Sequence, residues 1–336
     1  MDGRQRPAPV SETATRDTVK EFDQTAAQAA RDRQDQLTKP PGSLGRLEEL
    51  AVFMAGWQGR ERPVIGRAQA LVFAGNHGVT AQGVNPFPVE VTARMVENFQ
   101  NGGAAINQLC RLAGAELQVI ALDLDRPTGD FTQGMAMEVA DLVASIQTGK
   151  DAVDAQADVI VLGEMGIGNS TVAAALAAAT FGGTAEDWVG PGTGADDDTL
   201  ARKRRAVEAG LARHKGAATA ASILGAYGGR EQAAICGAVI RARELGIPVI
   251  LDGFICSAAA GVLLVNDRHA LDHCLIGHAS AEPGHRRLIA AMGKNPVVTL
   301  DMRLGEGSGA AVALLVLRAA LECHNGMATF AEAGIG

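Results

Sequence analysis

Six short runs of apolar, often β-branched residues recur along the chain, at 68–74, 117–122, 158–162, 247–251, 274–276 and 297–300. Most are continuously apolar rather than alternating, the pattern of strands covered on both faces. Between them the apolar positions take helical spacing, at 91–112, 170–180, 199–215, 231–245 and 284–292. This alternation predicts an α/β fold with a mostly parallel, Rossmann-like sheet flanked by helices. Two more helices are expected before the first strand, over 16–37 and 44–57, parted by KPPGSLG from Lys39, whose adjacent prolines end the first. A last helix, over 309–323, has no strand after it. It is expected to join the N-terminal pair in a small helical subdomain. The expected organisation is a disordered tail at 1–15, N-terminal helices at 16–60, a large α/β domain with the active site at 61–305, and C-terminal helices at 306–336.

Each strand run is followed by glycines and polar residues: GNHGV from Gly75, DLD from Asp123, GEMGIGN from Gly163, DGF from Asp252, GHASAEPG from Gly277 and DMRLGEGSG from Asp301. The carboxyl edge of an open parallel sheet is where its ligand crevice lies. In 163–169, three glycines let the backbone approach a ligand, and Asn169 or Ser170 can cap the helix that follows, whose N-terminus favours an anion. Taken alone, the run is also compatible with a plain tight turn. Its glycine order, GxxGxG, is not the dinucleotide fingerprint, and no Lys-Ser or Lys-Thr follows to make a nucleotide triphosphate loop. Glu164 would repel a phosphate and is expected to serve another part of the ligand.

Four other segments carry candidate chemistry. GPGTGADDD from Gly190 forms a loop whose aspartates can cap a helix, and one residue of the basic run 202–205 could reach back to a phosphate, although such runs are commonly solvated. Ser280 precedes a proline at a helix start and is a candidate anion ligand. Glu306, between glycines, is either a solvated loop carboxylate or a base whose proton affinity rises in an apolar pocket. Asn85, Phe87 and two prolines make a stiff loop after the first strand that could wall an aromatic substrate or simply pack on the surface. His77 has no Ser or Cys partner in a nucleophile elbow, so a hydrolase triad is not supported.

Composition narrows the classes. With 30 basic and 38 acidic residues the formal charge is -8, and no basic stripe marks a nucleic-acid face. A negative chain that binds phosphate must do so with local N–H groups and a few cations. The five cysteines lack CxxC spacing and the seven histidines lack HExxH spacing, so neither disulfides nor a metal site is expected. The polar N-terminus has no signal-peptide core and no apolar run reaches membrane-span length, so a cytoplasmic location without membrane contact is expected.

Together, KPPGSLGRLEELA, AGNHGVTAQGV, NPFPVEVT, NFQNGGAAIN, GEMGIGNST, GPGTG, LDGFICSAAA, GHASAEPGH and LDMRLGEGSGA, in this order from Lys39 to the C-terminus, resemble the nicotinate-nucleotide–dimethylbenzimidazole phosphoribosyltransferase family. The resemblance implies a cytoplasmic homodimer that uses no cofactor or metal. It implies conversion of nicotinate mononucleotide and 5,6-dimethylbenzimidazole to α-ribazole 5′-phosphate and nicotinate, for the nucleotide loop of cobalamin. It also implies Glu306 as general base, with inversion at C1′, and Glu164 near the ribose. Lys203, Ser280 and Gly166, Ile167, Gly168 and Asn169 would surround the phosphate. Asp252 would stand at the nucleotide site, and Asn85, Phe87 and Leu304 would line the benzimidazole pocket. A NAD-dependent dehydrogenase and a non-catalytic nucleotide sensor are the alternatives. The first has the wrong glycine order; the second would bind substrate without consuming dimethylbenzimidazole.

Overall fold

The structure, a computed structural model, describes residues 19–192 and 194–335. The tail expected at 1–15 lies outside the described residues. Six parallel strands form one sheet in the order β2-β1-β3-β4-β5-β6: β1 (Ala68–Ala74), β2 (Ala115–Ala121), β3 (Val159–Met165), β4 (Val249–Leu251), β5 (Cys274–Ala279) and β6 (Pro296–Thr299). All six predicted runs are strands. β1 and β4 are buried throughout, whereas the edge strands β2 and β6 are half-open. Continuous apolar runs therefore mark the centre of the sheet and mixed ones its rims.

The helices are α1 (Gln24–Gln36), α2 (Arg46–Gln58), α3 (Glu90–Gln100), α4 (Ala105–Ala113), α5 (Val139–Ala152), α6 (Asn169–Phe181), α7 (Ala185–Trp188), α8 (Asp197–Arg213), α9 (Ala220–Tyr227), α10 (Arg230–Leu245), α11 (Phe254–Gly261), α12 (Pro283–Ala291), α13 (Ser308–Gly326) and α14 (Phe330–Ala333). The single helix predicted over 91–112 is two, because the chain turns at Asn101, Gly102 and Gly103 with Gly102 at φ +76°. The first helix begins at Gln24, where Asp23 accepts the Ala26 N–H at 2.9 Å, well after the predicted start. The pattern missed α5, the one-turn α7, α9 and α11. α9 and α11 are buried almost all round and so lack a polar face to set a period.

On one face of the sheet, α2, α4 and α13 share an apolar core with β1, β3, β4 and β5. On the other, α10 and α11 do so, with α5 behind α10 and with α6, α8 and α9 forming an outer layer. α13 packs on α2 and also across β3 to β6. Its start is pressed onto the strands: a methyl on Gly277 would lie 2.7 Å from Ala310 Cα, and one on Gly163 would overlap the Gly307 nitrogen. Only glycine at those two positions lets the helix N-terminus sit on the strand backbones. Gly163→Ala should therefore cost about 1–3 kcal/mol of stability by overpacking, read from denaturant unfolding. An unchanged midpoint would mean that α13 moves away freely.

The chain runs from β1 outward to β2 and then back across to β3 on the other side. This reversal falls between β1 and β3, and the carboxyl edge of such a sheet is where ligands bind.

Candidate active site

One crevice gathers the segments after β3, β4, β5 and β6, with Asn85 from the loop after β1. Its walls fall into two ends of different chemistry.

The first end is built for an anion. α6 starts at Asn169 behind Gly168, which stands at φ +92°, and no side chain caps it. The sequence expectation that Asn169 or Ser170 would cap α6 is thus corrected: the Asn169 amide donates to Glu164 Oε2, and the Ser170 hydroxyl meets Lys203. The Asn169 and Thr171 N–H groups turn back to Gly166 O at 3.2 Å and Gly168 O at 3.0 Å, so the mouth of this 13-residue helix attracts negative charge chiefly through its dipole. Gly166, Ile167, Gly168, Asn169 and Ser170 line this wall, although the Ile167 N–H is already held by Thr92 Oγ1 at 3.2 Å.

Lys203 enters from α8, whose N-cap Asp196 accepts the Thr199 N–H at 2.8 Å. Of the basic run 202–205 it alone is buried. Its Nζ donates to Gly190 O at 2.7 Å and to Ser170 Oγ at 3.1 Å. Burial pulls its proton affinity down to about 8, against the raising effect of the Glu282 carboxylate. Ser280, on the same wall, donates its N–H to His285 Nδ1 at 3.1 Å and has its hydroxyl 2.9 Å from the same atom. That nitrogen must then be the unprotonated one, leaving the other to face Ser257 Oγ at 3.3 Å. Burial drives His285 down to about 3, which keeps it neutral.

The second end carries carboxylates. Glu306 lies in a turn where Gly305, Glu306 and Gly307 all have positive φ, at +83°, +64° and +82°. It lines the crevice while only 7% exposed, and burial, then the nearby Asp252 charge, raise its carboxyl to about 7. Glu164 is also a wall residue. Burial first, then Asp252 and Glu231, push it up to about 8. A methyl on Gly305 would lie 2.6 Å from Glu164 Oε1, so the two carboxylates share one corner. Leu304 borders them, half exposed.

Three expected residues fall outside the crevice wall, and Lys203 is one of them, standing behind Ser170. Phe87 is 47% exposed and outside the crevice wall; its carbonyl takes the Asn85 amide, so the rigid loop presents Asn85 and not the ring. Asp252 is completely buried behind the wall, its two oxygens accepting the N–H groups of Gly307 at 3.1 Å and Ala310 at 2.9 Å. Conversely, sequence reasoning passed over His278, Glu282 and Arg303, all of which line the crevice. The alternation along β5 was the available signal, since 278 and 280 point to one side of a strand. His77, weighed as a catalyst, is buried beside Glu231 at 3.1 Å and is not part of the wall.

Among the described residues, no cluster of three or more His, Cys, Asp or Glu could hold a metal ion, and no helix is long and apolar enough to cross a membrane. The crevice can therefore bind an anion at one end and hold carboxylates of near-neutral proton affinity at the other.

Comparison with known proteins places the chain in a family. A phosphoribosyltransferase family model matches residues 19–335. The chain is 63% identical to the nicotinate-nucleotide–dimethylbenzimidazole phosphoribosyltransferase of Rhodobacter capsulatus, over 93% of each chain, and 59% identical to that of Mesorhizobium japonicum over the same shares. The crystal structure of the corresponding Thermus thermophilus enzyme superposes with a TM-score of 0.86 at 40% identity, covering 94% of this chain and 99% of that one. With a crevice that pairs an anion seat and two high-affinity carboxyls, and with relatives this close over nearly its whole length, the chain is an enzyme that belongs to the nicotinate-nucleotide–dimethylbenzimidazole phosphoribosyltransferase family.

Proposed function

We propose that this enzyme transfers the 5-phosphoribosyl group of nicotinate mononucleotide to 5,6-dimethylbenzimidazole, giving α-ribazole 5′-phosphate and free nicotinate. The observation that carries the reading is the placement of Glu306 in the same crevice as the α6 N-terminus, with Lys203 donating to Ser170 Oγ of that wall from behind it.

The phosphate is seated by α6, Lys203 and Ser280. Glu164 faces the ribose; with its proton affinity at about 8 it is a neutral acid at pH 7, able to donate an O–H to a ribose hydroxyl. Arg303 supplies positive charge to the wall, suited to the nicotinate carboxylate. The unprotonated nitrogen of the benzimidazole attacks C1′ as the bond from C1′ to the pyridinium nitrogen breaks. The bond's electrons stay with the departing ring and neutralise it. The N–H proton of the benzimidazole passes to Glu306. Attack opposite to the leaving group inverts C1′ from β to α. Because the leaving group starts as a cation it needs no acid. Most of the acceleration then comes from holding two substrates in line, with the phosphate as anchor.

Mixing the protein with both substrates should release nicotinate and form α-ribazole phosphate in equal amounts. Binding of nicotinate mononucleotide without consumption of dimethylbenzimidazole would make the protein a sensor, and nicotinate release with no new glycosidic bond would make it a hydrolase; either result sinks the proposal.

A further inference from the structure

Glu306 occupies a backbone conformation that a side chain with a Cβ rarely adopts, at φ +64°. Such a residue persists only where its surroundings over-determine it, at a cost of about 1–3 kcal/mol. Three contacts hold the turn. Ser308 returns its N–H to Gly305 O at 3.0 Å and its hydroxyl to the same atom at 2.7 Å. Gly163 packs against Gly307. From below, Asp252 grips both the residue after Glu306 and the third residue of α13.

We infer that Asp252 is a positioning residue for Glu306, setting where the general base stands through the first turn of α13; this rests on the reaction proposed above. Asp252 cannot itself meet a substrate, because it is fully buried and outside the crevice wall. Its place at a helix N-terminus is electrostatically favourable, since the carboxylate takes N–H groups that would otherwise lack partners. Replacing it frees the Gly307 and Ala310 N–H groups inside the protein and loosens the turn that aims Glu306.

A second effect runs through charge. The groups around Glu306 are Asp252 after β4, Glu164 on β3, His278 on β5 and Arg303 in its own loop. His278 Nε2 stands 3.7 Å from Asp252 Oδ1; burial lowers the proton affinity of its ring, and the Asp252 carboxylate works against that lowering. Burial of Asp252 raises its own proton affinity, while His278 and the N–H groups of Ala310, Gly307 and Gly309 lower it. The Asp252 charge adds to burial in raising Glu306. Asp252 therefore holds the base in place and keeps it basic.

Asp252→Asn retains an acceptor oxygen and removes the charge. Its kcat should fall by about 10-fold or more while KM for nicotinate mononucleotide stays within about 2-fold. The acid limb of kcat/KM should move to lower pH by roughly half a unit to one unit. In a Glu306→Gln background, the same substitution should cost nothing further, because the residue it positions is already gone. Losses that multiply in the double variant, or a raised KM for nicotinate mononucleotide with the limb in place, overturn the inference. If the Asn form does not fold, Asp252→Glu keeps the charge but displaces it by a methylene. It should lower kcat with the limb unmoved, and again add nothing in the Glu306→Gln background; a multiplicative loss there rejects the inference too. Failure of the underlying reading looks different, since then the unaltered protein makes no α-ribazole phosphate or Glu306→Gln turns over at the parent rate.

Discussion

Glu306→Gln is expected to lower kcat by about three orders of magnitude while nicotinate mononucleotide binds within about twofold of the parent. The substitution preserves the shape of the side chain and the turn that carries it, but leaves nothing to take the benzimidazole proton. The phosphate end of the crevice is built from α6 and α8 and does not use Glu306, so calorimetric titration with the mononucleotide should show intact affinity. The pH profile supplies an independent reading. Glu306 serves as a base only when ionised, and its carboxyl is raised to about 7, so the parent's kcat/KM should rise as pH increases through that value. The Gln form should lose this limb.

Stability should move the other way. A carboxyl raised in the folded state contributes stability that is fully present below its unfolded value of 4.5 and is lost as pH rises through about 7. Above that pH the buried charge is a cost, on the order of 1–3 kcal/mol, which Gln removes. Glu306→Gln should thus be more resistant to urea than the parent at pH 8, with the difference shrinking toward pH 4. A variant that keeps parental turnover assigns the base elsewhere, and one that loses nucleotide binding makes Glu306 a donor ligand.

How much of this was visible beforehand depends on the distance over which each feature is determined. The sheet was legible because a strand covered on both faces must be apolar over its own few residues, as in 68–74. The strand-to-helix turn in the crevice wall was legible for the same reason: GEMGIGN is a local solution to leaving a strand and opening a helix. Long-range features were not. Asp252 sits after a strand like any crevice residue, yet its partners Gly307 and Ala310 lie 55 and 58 positions away, and only the folded chain shows that they consume both oxygens. Lys203 stood in a run of four cations that usually faces water, and only helix phase against α6 picks it out. Phe87 was misplaced because loop stiffness says nothing about which side chain faces the crevice. The break in the helix predicted over 91–112 was written locally, in Asn101, Gly102 and Gly103, and was outweighed there by the apolar period on either side.

Lys203→Met should produce the second large effect, a fall of about 100-fold in kcat/KM for nicotinate mononucleotide, carried mainly by KM. Methionine matches most of the length of the buried lysine stem but brings no charge. A buried ammonium that already donates to Gly190 O and Ser170 Oγ is held in place before the phosphate arrives, so its attraction is not spent on ordering the side chain. The control is nicotinate riboside, which lacks the phosphate: parent and variant should use it equally poorly. Equal losses on both substrates would make Lys203 a structural prop, and an unchanged KM for the mononucleotide would move the phosphate elsewhere. The parent's pH profile should carry the signature of this residue as well. With Lys203 lowered to about 8 by burial, kcat/KM should fall as pH rises through that value, because the free enzyme loses the cation. Bound phosphate favours the charged form, so the corresponding limb of kcat should lie at higher pH. The Met form should show neither limb. Glu282, raised by burial and lowered by the Lys203 charge, then loses its counter-charge and takes up a proton more readily, which limits the repulsion it adds at that end. An expected loss near 100-fold corresponds to removal of one attraction; creation of a repulsion would cost far more.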